Sequence, residues 1–182
     1  NPGQPLAAIF YSLPVAHHPT WLDQDFEDWR KAATDLWPAF GPYLGWIEGH
    51  AAFTFASYSH GTLRRPWDSG IAHIGDAAHR ASPQLGQGAN MALLDARALQ
   101  LALRQARGDE ALRLYAGARR WHVRAYQTMS AAFTPQYQSD SRVLPVLRDR
   151  VLAPMAGIWP VTRVLTRLVC GDLVPPMPAL TP

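Results

Sequence analysis

The amino-acid sequence of 182 residues predicts an α/β fold, which is α+β within this chain, and two observations carry the prediction. Apolar residues recur at helical spacing in several segments that are separated by Pro or Gly. Short apolar or alternating segments between those helices have the character of strands. Hydrophobic residues make up 48% of the chain and charged residues 17%, which is typical of a globular protein and excludes a disordered one.

The first third of the chain contains two predicted strands with a helix between them. Residues 5–16 are rich in β-branched and aromatic types and are bounded by prolines, which favours a strand. Residues 20–37 begin with an acidic first turn and predict an amphipathic helix. Residues 51–59 alternate and predict a half-buried strand with Phe53 and Phe55 on one face. Core packing accounts for most aromatic residues here, and the face of Phe53 and Phe55 is a candidate substrate-binding surface.

The rest of the chain is predicted to hold one buried strand followed by helices. Residues 71–74 form a nearly continuous apolar run, as in a strand that is buried on both faces of a parallel sheet. Helix-forming residues and apolar spacing predict helices over 90–106, 109–135, 139–151 and 161–169.

The segment 71–96 has the pattern of a ligand-binding device, because a strand leads into an acid, a Gly-rich loop and a helix. Asp76 follows the strand and can accept hydrogen bonds from ligand hydroxyls. Gly86 and Gly88 allow the backbone to approach a ligand closely. The helix that follows presents free N–H groups with a partial positive charge.

The same segment resembles the second flavin motif of the p-hydroxybenzoate-hydroxylase-like FAD-dependent monooxygenases, the aromatic-ring and ubiquinone-pathway hydroxylases. The matching residues are Gly75-Asp76-Ala77-Ala78-His79, Pro83, Gly86-Gln87-Gly88-Ala89-Asn90 and Asp95. The resemblance implies the C-terminal part of an FAD-binding Rossmann-like domain, with part of an antiparallel-sheet substrate domain and C-terminal helices. On this basis we expect three parts: 1–66 in the substrate domain, 67–135 in the FAD-binding domain, and 136–182 as helices and tail.

The resemblance also implies the roles of individual residues in a flavoprotein oxidoreductase. Gly75 and Asp76 would bind the ribityl chain of FAD, and Pro83 would lie beside the flavin ring as the catalytic residue. The pyrimidine edge of the ring would be held by Gly86, Gln87, Gly88, Ala89 and Asn90. The implied reaction is hydroxylation of a small aromatic substrate with NAD(P)H and O2 in the cytoplasm. A flavin-dependent halogenase or reductase of the same fold is the alternative enzyme.

Two other motifs of that family, an N-terminal G-x-G-x-x-G and a mid-chain Asp-Gly, have no counterpart in the sequence. We therefore expect the missing N-terminal half of the same protein, or another copy, to complete the sheet and the FAD site. The isolated chain is expected to be inactive, and a non-catalytic truncated fragment is the remaining alternative.

Several other kinds of site are disfavoured by the sequence. The net charge is +3 but arginines are scattered, so nucleic acid is not expected as a partner. The single Cys170 permits no internal disulfide, and neither His17-His18 nor His73 with Asp76 and His79 has the spacing of metal ligands. No transmembrane segment is expected, because prolines and arginines interrupt the most apolar stretch. His79 is either a general base or a neutral histidine bonded to backbone, and Arg119 is interpreted as solvated charge.

Overall fold

The computed structural model describes residues 8–170 and 172–180. Over these residues the chain is mostly helical, with one small antiparallel sheet. The chain divides into an N-terminal unit that ends at Ser57 and a C-terminal unit that begins at Tyr58. None of the described helices is both long enough and apolar enough to cross a membrane.

The N-terminal unit is built from short helices around an aromatic core. Its buried side chains are Trp21, Trp29 and Leu44. The sequence predicted one helix over 20–37, but the structure has two, because Asp25 caps a new helix by accepting a hydrogen bond from the Glu27 N–H at 2.7 Å. The helices are α1 (His18–Asp23), α2 (Phe26–Leu36) and α3 (Gly41–Leu44).

The two strands predicted in this unit are wrong over the described residues, and the part of the first at 5–7 lies outside them. The chain has no regular structure over 8–14, and a 3-10 turn at His50–Ala52 precedes irregular backbone. Phe53 packs edge-on against Trp21 and Trp29 with ring centroids 5.5 and 5.2 Å apart. No described segment pairs with the backbone of 53–59, so no strand forms. The alternating phenylalanine side chains pack against other aromatic rings instead.

Two long antiparallel helices form the frame of the C-terminal unit, as the sequence predicted. Ala98 and Ala102 of the first helix pack against Tyr115 and Ala118 of the second, and the three alanines permit close contact. Leu180, near the end of the described chain, completes this core. The helices of the unit are α4 (Asp76–His79), α5 (Gly88–Gln105), α6 (Gly108–Tyr137), α7 (Val143–Leu147), α8 (Ala153–Ala156) and α9 (Trp159–Val169).

Two helix boundaries differ from the prediction. α6 continues through Pro135 to Tyr137, because a proline near a helix end removes few backbone bonds. The helix predicted over 139–151 begins only at Val143, and a π-helical turn at Arg148–Leu152 joins α7 to α8. The predicted C-terminal helix is confirmed as α9.

The sheet is a tight hairpin of β2 (Trp67–Asp68) and β3 (Ile71–Ala72), while β1 (Gly61–Thr62) forms separate bridges to residues 79–80. The turn residues Ser69 and Gly70 both have positive φ, as tight hairpins require. The prediction that 71–74 is a parallel strand buried on both faces is wrong for the described chain. β3 pairs antiparallel with β2, and Ile71 is 62% exposed because no described element covers it.

Candidate functional site

The turn at Gly75 connects the hairpin to the predicted binding residues. Gly75 has φ 56° and ψ −139°, which only glycine adopts without strain. A Cβ at this position would lie 3.0 Å from the Cβ of Ala92 on α5, so close packing also requires glycine. The Gly75 carbonyl accepts hydrogen bonds from the N–H groups of Ala78 and His79, both at 2.9 Å. Asp76 is therefore the first residue of α4, and its side chain is exposed.

A buried carboxylate holds this turn against the two long helices. Asp95 on α5 is fully buried, and its Oδ2 accepts hydrogen bonds from the Gly75 N–H at 2.8 Å and from His79 Nε2 at 2.6 Å. Its Oδ1 accepts a hydrogen bond from Arg119 Nε on α6 at 2.6 Å. One side chain therefore joins α4, α5 and α6 behind Asp76.

The electrostatics of this cluster favour an ionised carboxylate. Burial raises the pKa of Asp95, but hydrogen bonds from His79, Arg119 and the Gly75 N–H outweigh it and hold the pKa below its usual range. The ring of His79 donates a hydrogen bond to the Asp95 carboxylate. It therefore matches neither of the two sequence-based interpretations, a general base or a histidine bonded to local backbone. The interpretation of Arg119 as solvated charge is wrong, because only 2% of it is exposed.

Arg119 also fixes a neutral histidine. Its Nη1 donates to His122 Nδ1 at 3.0 Å and to the Pro176 carbonyl at 3.2 Å. Burial, together with the smaller effect of the positive charge of Arg119, lowers the pKa of His122 to about 4. His122 is therefore uncharged near neutral pH and can accept this hydrogen bond.

Sequence reasoning included Asp95 in the motif but missed its pairing with Arg119. A signal was present, because each charge lies on a helix face that is otherwise apolar. Asp95 follows Met91 by one turn and precedes Ala98, and Arg119 adjoins Tyr115 and Ala118. Two charges of opposite sign on such faces indicate a buried ion pair.

The loop between α4 and α5 carries the second group of predicted residues. Gln127 of α6 ties its start by donating to the carbonyls of His79 and Arg80 at 2.8 and 3.1 Å. Pro83 begins a 3-10 turn on the exposed side of the loop. Gly86 then adopts the left-handed conformation with φ 62°, which turns the chain into α5.

The N-terminus of α5 is exposed and its amides have no cap among the described residues. The first backbone bond of the helix runs from the Met91 N–H to the Gln87 carbonyl at 2.8 Å. Asn90 Nδ2 donates to Gln87 Oε1 at 2.9 Å, so neither side chain caps the helix. A Cβ on Gly88 would meet nothing within 4 Å, so the packing of the chain itself does not require glycine there.

Tyr126 on α6 lies beside this helix end. Burial raises the pKa of the Tyr126 hydroxyl, and the negative charge of Asp76 raises it further. Tyr126 also lines a small cavity together with Gln87, Asn90 and Met91. The structure thus places Gln87 and Asn90 beside Tyr126, whose hydroxyl is also affected by the charge of Asp76.

The cavity is too small for a flavin ring. It measures about 60 Å³, whereas a cavity of roughly 150 Å³ is needed for a single benzene molecule. A flavin would have to lie against the exposed side of the loop, where Asp76, Pro83, Gly88 and Ala89 are all accessible. An exposed carboxylate, uncapped amides and a glycine with open space above it fit the hydroxyl-bearing and anionic parts of FAD.

The two predicted substrate residues belong to the N-terminal unit. Phe53 is half-buried in its aromatic core, while Phe55 is 46% exposed and stacks on His18 with ring centroids 4.0 Å apart. Across 8–170 and 172–180, no group of three or more His, Cys, Asp or Glu residues is arranged to hold a metal ion.

Comparison with known proteins identifies the family. Residues 23–130, more than half of the chain, match the family model described as FAD binding domain. The chain is also 30% identical over 128 residues to FAD-dependent monooxygenase janM of Penicillium janthinellum. That match covers 62% of this chain and 27% of the relative, so the chain spans about a quarter of that protein's length. The predicted resemblance to FAD-dependent proteins is confirmed at the level of the family: this chain belongs to the FAD-binding-domain family.

Proposed function

We propose that the chain forms the ribityl and ring side of the FAD site in a monooxygenase of the aromatic-hydroxylase type, which uses NAD(P)H and O2 in the cytoplasm. The observation that supports this best is the uncapped, exposed N-terminus of the 18-residue helix α5. Backbone amides at such a helix end favour a negatively charged group, and the macrodipole adds to the effect.

Each residue of the site has a defined task in this proposal. Asp76 accepts hydrogen bonds from ribityl hydroxyls, and Gly75 sets the direction in which its carboxylate points. Gly86, Gln87, Gly88, Ala89 and Asn90 present backbone to the pyrimidine edge of the ring. When bound, FAD supplies the redox and oxygen chemistry, and the chain supplies position and electrostatics.

Pro83 lies on the exposed rim of the loop and is proposed to pack beside the ring, excluding water from the site of oxygen reaction. Phe55, with part of its ring accessible, is the better placed of the two phenylalanines for contact with an aromatic substrate.

The proposal also includes a Rossmann-like sheet larger than the hairpin seen here. Among the described strands β3 pairs with β2 alone, so an added strand could pair with its other edge, and helices packed on the enlarged sheet would cover the exposed Ile71. We infer that residues outside this chain, from the N-terminal half or another copy, supply that strand and bind the AMP half of FAD.

The test is FAD retention by variants of the complete protein. Asp76→Ala should weaken FAD binding by about 1–3 kcal/mol, because the ribityl hydroxyls lose a charged acceptor. Asp35→Ala, which removes another exposed carboxylate, is the matched control. Equal flavin content in both purified variants would refute the role of Asp76.

A second pair of variants tests the loop. Gly88→Val adds bulk into open space, so the fold should persist while the ring is excluded. Gly117→Val makes the same change at an exposed, open position within α6 and should retain flavin. Normal flavin absorbance in Gly88→Val would show that the ring lies elsewhere.

A further inference from the structure

An exposed apolar stripe runs along the helices that follow α6. Four aliphatic side chains, each 41–72% exposed, are spaced four residues apart on α7, the π turn and α8: Val143, Leu147, Val151 and Met155. Water-exposed side chains of this size at regular spacing form a continuous apolar surface, which monomeric proteins rarely leave uncovered.

The π-helical turn at Arg148–Leu152 keeps these residues on one face. In a regular α-helix, residues four apart drift around the axis by about 40° per step, so a long stripe would wind away. A π turn is wider and takes more residues per revolution, which reduces the drift. This spacing favours a shared face for the four exposed side chains from Val143 to Met155.

The next helix, α9, also exposes aromatic and basic residues. Trp159 is 71% exposed, and Arg163 lies over its ring with the guanidinium carbon 5.7 Å from the centroid. Arg167 follows one turn later on the same face. The opposite face of α9 is turned inward, since Leu168 lines the small cavity of the C-terminal unit.

The charge of this region is strongly one-sided. Residues 142–169 contain five arginines and one acid, Asp149, which gives a net charge of +4 in a chain whose total is +3. Asp149 is paired with Arg148 at 2.7 Å. The arginines are Arg142, Arg148, Arg150, Arg163 and Arg167.

We propose that residues 142–169 form a surface that binds anionic phospholipid membranes. The aliphatic stripe and Trp159 would enter the boundary between headgroups and acyl chains, and the arginines would contact lipid phosphates. Apolar, aromatic and basic side chains together on exposed short helices are the features of segments that lie in a membrane interface. Long arginine side chains reach the phosphates while their stems cover apolar surface. The excess of positive charge selects an anionic bilayer over a neutral one.

The experiment is flotation of the complete, FAD-loaded protein with lipid vesicles. Vesicles of phosphatidylcholine and phosphatidylserine in equal parts are compared with vesicles of phosphatidylcholine alone. We expect binding to the mixed vesicles, weak binding to the neutral ones, and loss of binding as salt is raised. Arg163→Gln with Arg167→Gln should weaken binding roughly 25-fold, at about fivefold for each charge near the surface.

Two further variants make the test specific. Trp159→Ser removes an exposed apolar anchor without disturbing the core and should also weaken vesicle binding. Arg104→Gln with Arg113→Gln removes two exposed arginines outside the segment and should bind as the wild type does. Equal binding by all variants, no binding to either vesicle, or self-association through Trp159 in place of vesicle binding would each overturn the proposal.

Discussion

Replacement of Asp95 by Asn removes the negative charge that joins α4, α5 and α6, while the side chain keeps nearly the same shape. Asp95 is fully buried and Arg119 is 2% exposed, so the variant leaves a guanidinium buried beside a neutral amide. Breaking a buried ion pair in this way costs about 3–5 kcal/mol. That is at least a fifth of the free energy of unfolding of a typical domain, which is roughly 5–15 kcal/mol.

Urea unfolding at a fixed FAD concentration measures this loss, because bound cofactor itself adds stability. Asp149→Asn is the matched control, since it neutralises an ion-paired but exposed aspartate. A double variant, Asp95→Leu with Arg119→Met, removes both charges and should recover much of the lost stability. If Asp95→Asn shifts the unfolding midpoint no more than the control, Asp95 does not organise the fold as described.

Three other predictions follow from the same geometry. Gly75→Ala should destabilise the protein by about 1–3 kcal/mol, because residue 75 has a positive φ and its Cβ would lie 3.0 Å from Ala92. Gly117→Ala is the control and should stabilise the protein by roughly 0.5–1 kcal/mol, and thermal unfolding measures both changes. His122 has a pKa of about 4 when folded and about 6.5 when unfolded, so the unfolded chain gains a proton first and stability should fall from pH 6.5 to 4. The urea midpoint of His122→Gln should therefore depend less on pH than that of the wild type, and an equal dependence in the two proteins would contradict this prediction. Tyr115→Phe should lose about 1 kcal/mol, because the hydroxyl donates to the His73 carbonyl at 2.9 Å, and amide hydrogen exchange around the hairpin would detect it.

Helix-forming residues and apolar spacing were sufficient to predict α5, α6 and α9. A helix satisfies its backbone within its own segment, so the pattern of Met91, Asp95, Ala98 and Ala102 contains most of the information needed. Strands depend on a partner elsewhere in the chain. The alternation of Phe53 and Phe55 therefore predicted a strand where no described segment pairs with it.

The motif residues were predicted from the sequence, but their support was not. Asp95 and Arg119 are 24 residues apart on different helices, and only the packing of α5 against α6 brings them together. The same holds for the 3.0 Å contact between Gly75 and Ala92, which no local pattern records. Local residue types identify the groups that face outward, whereas tertiary contacts determine how firmly those groups are held.

The buried carboxylate of Asp95, which attaches the Gly75 turn to α5, also affects how such a site can change over evolution. Asp95 joins the turn before Asp76 to the helix that begins at Gly88, and it does so independently of residues 80–85 in the loop between them. Substitutions or insertions in that loop can therefore remodel the surface around Pro83 while the anchoring groups stay in place. Divergence of reaction preference among related chains should accordingly concentrate in this loop.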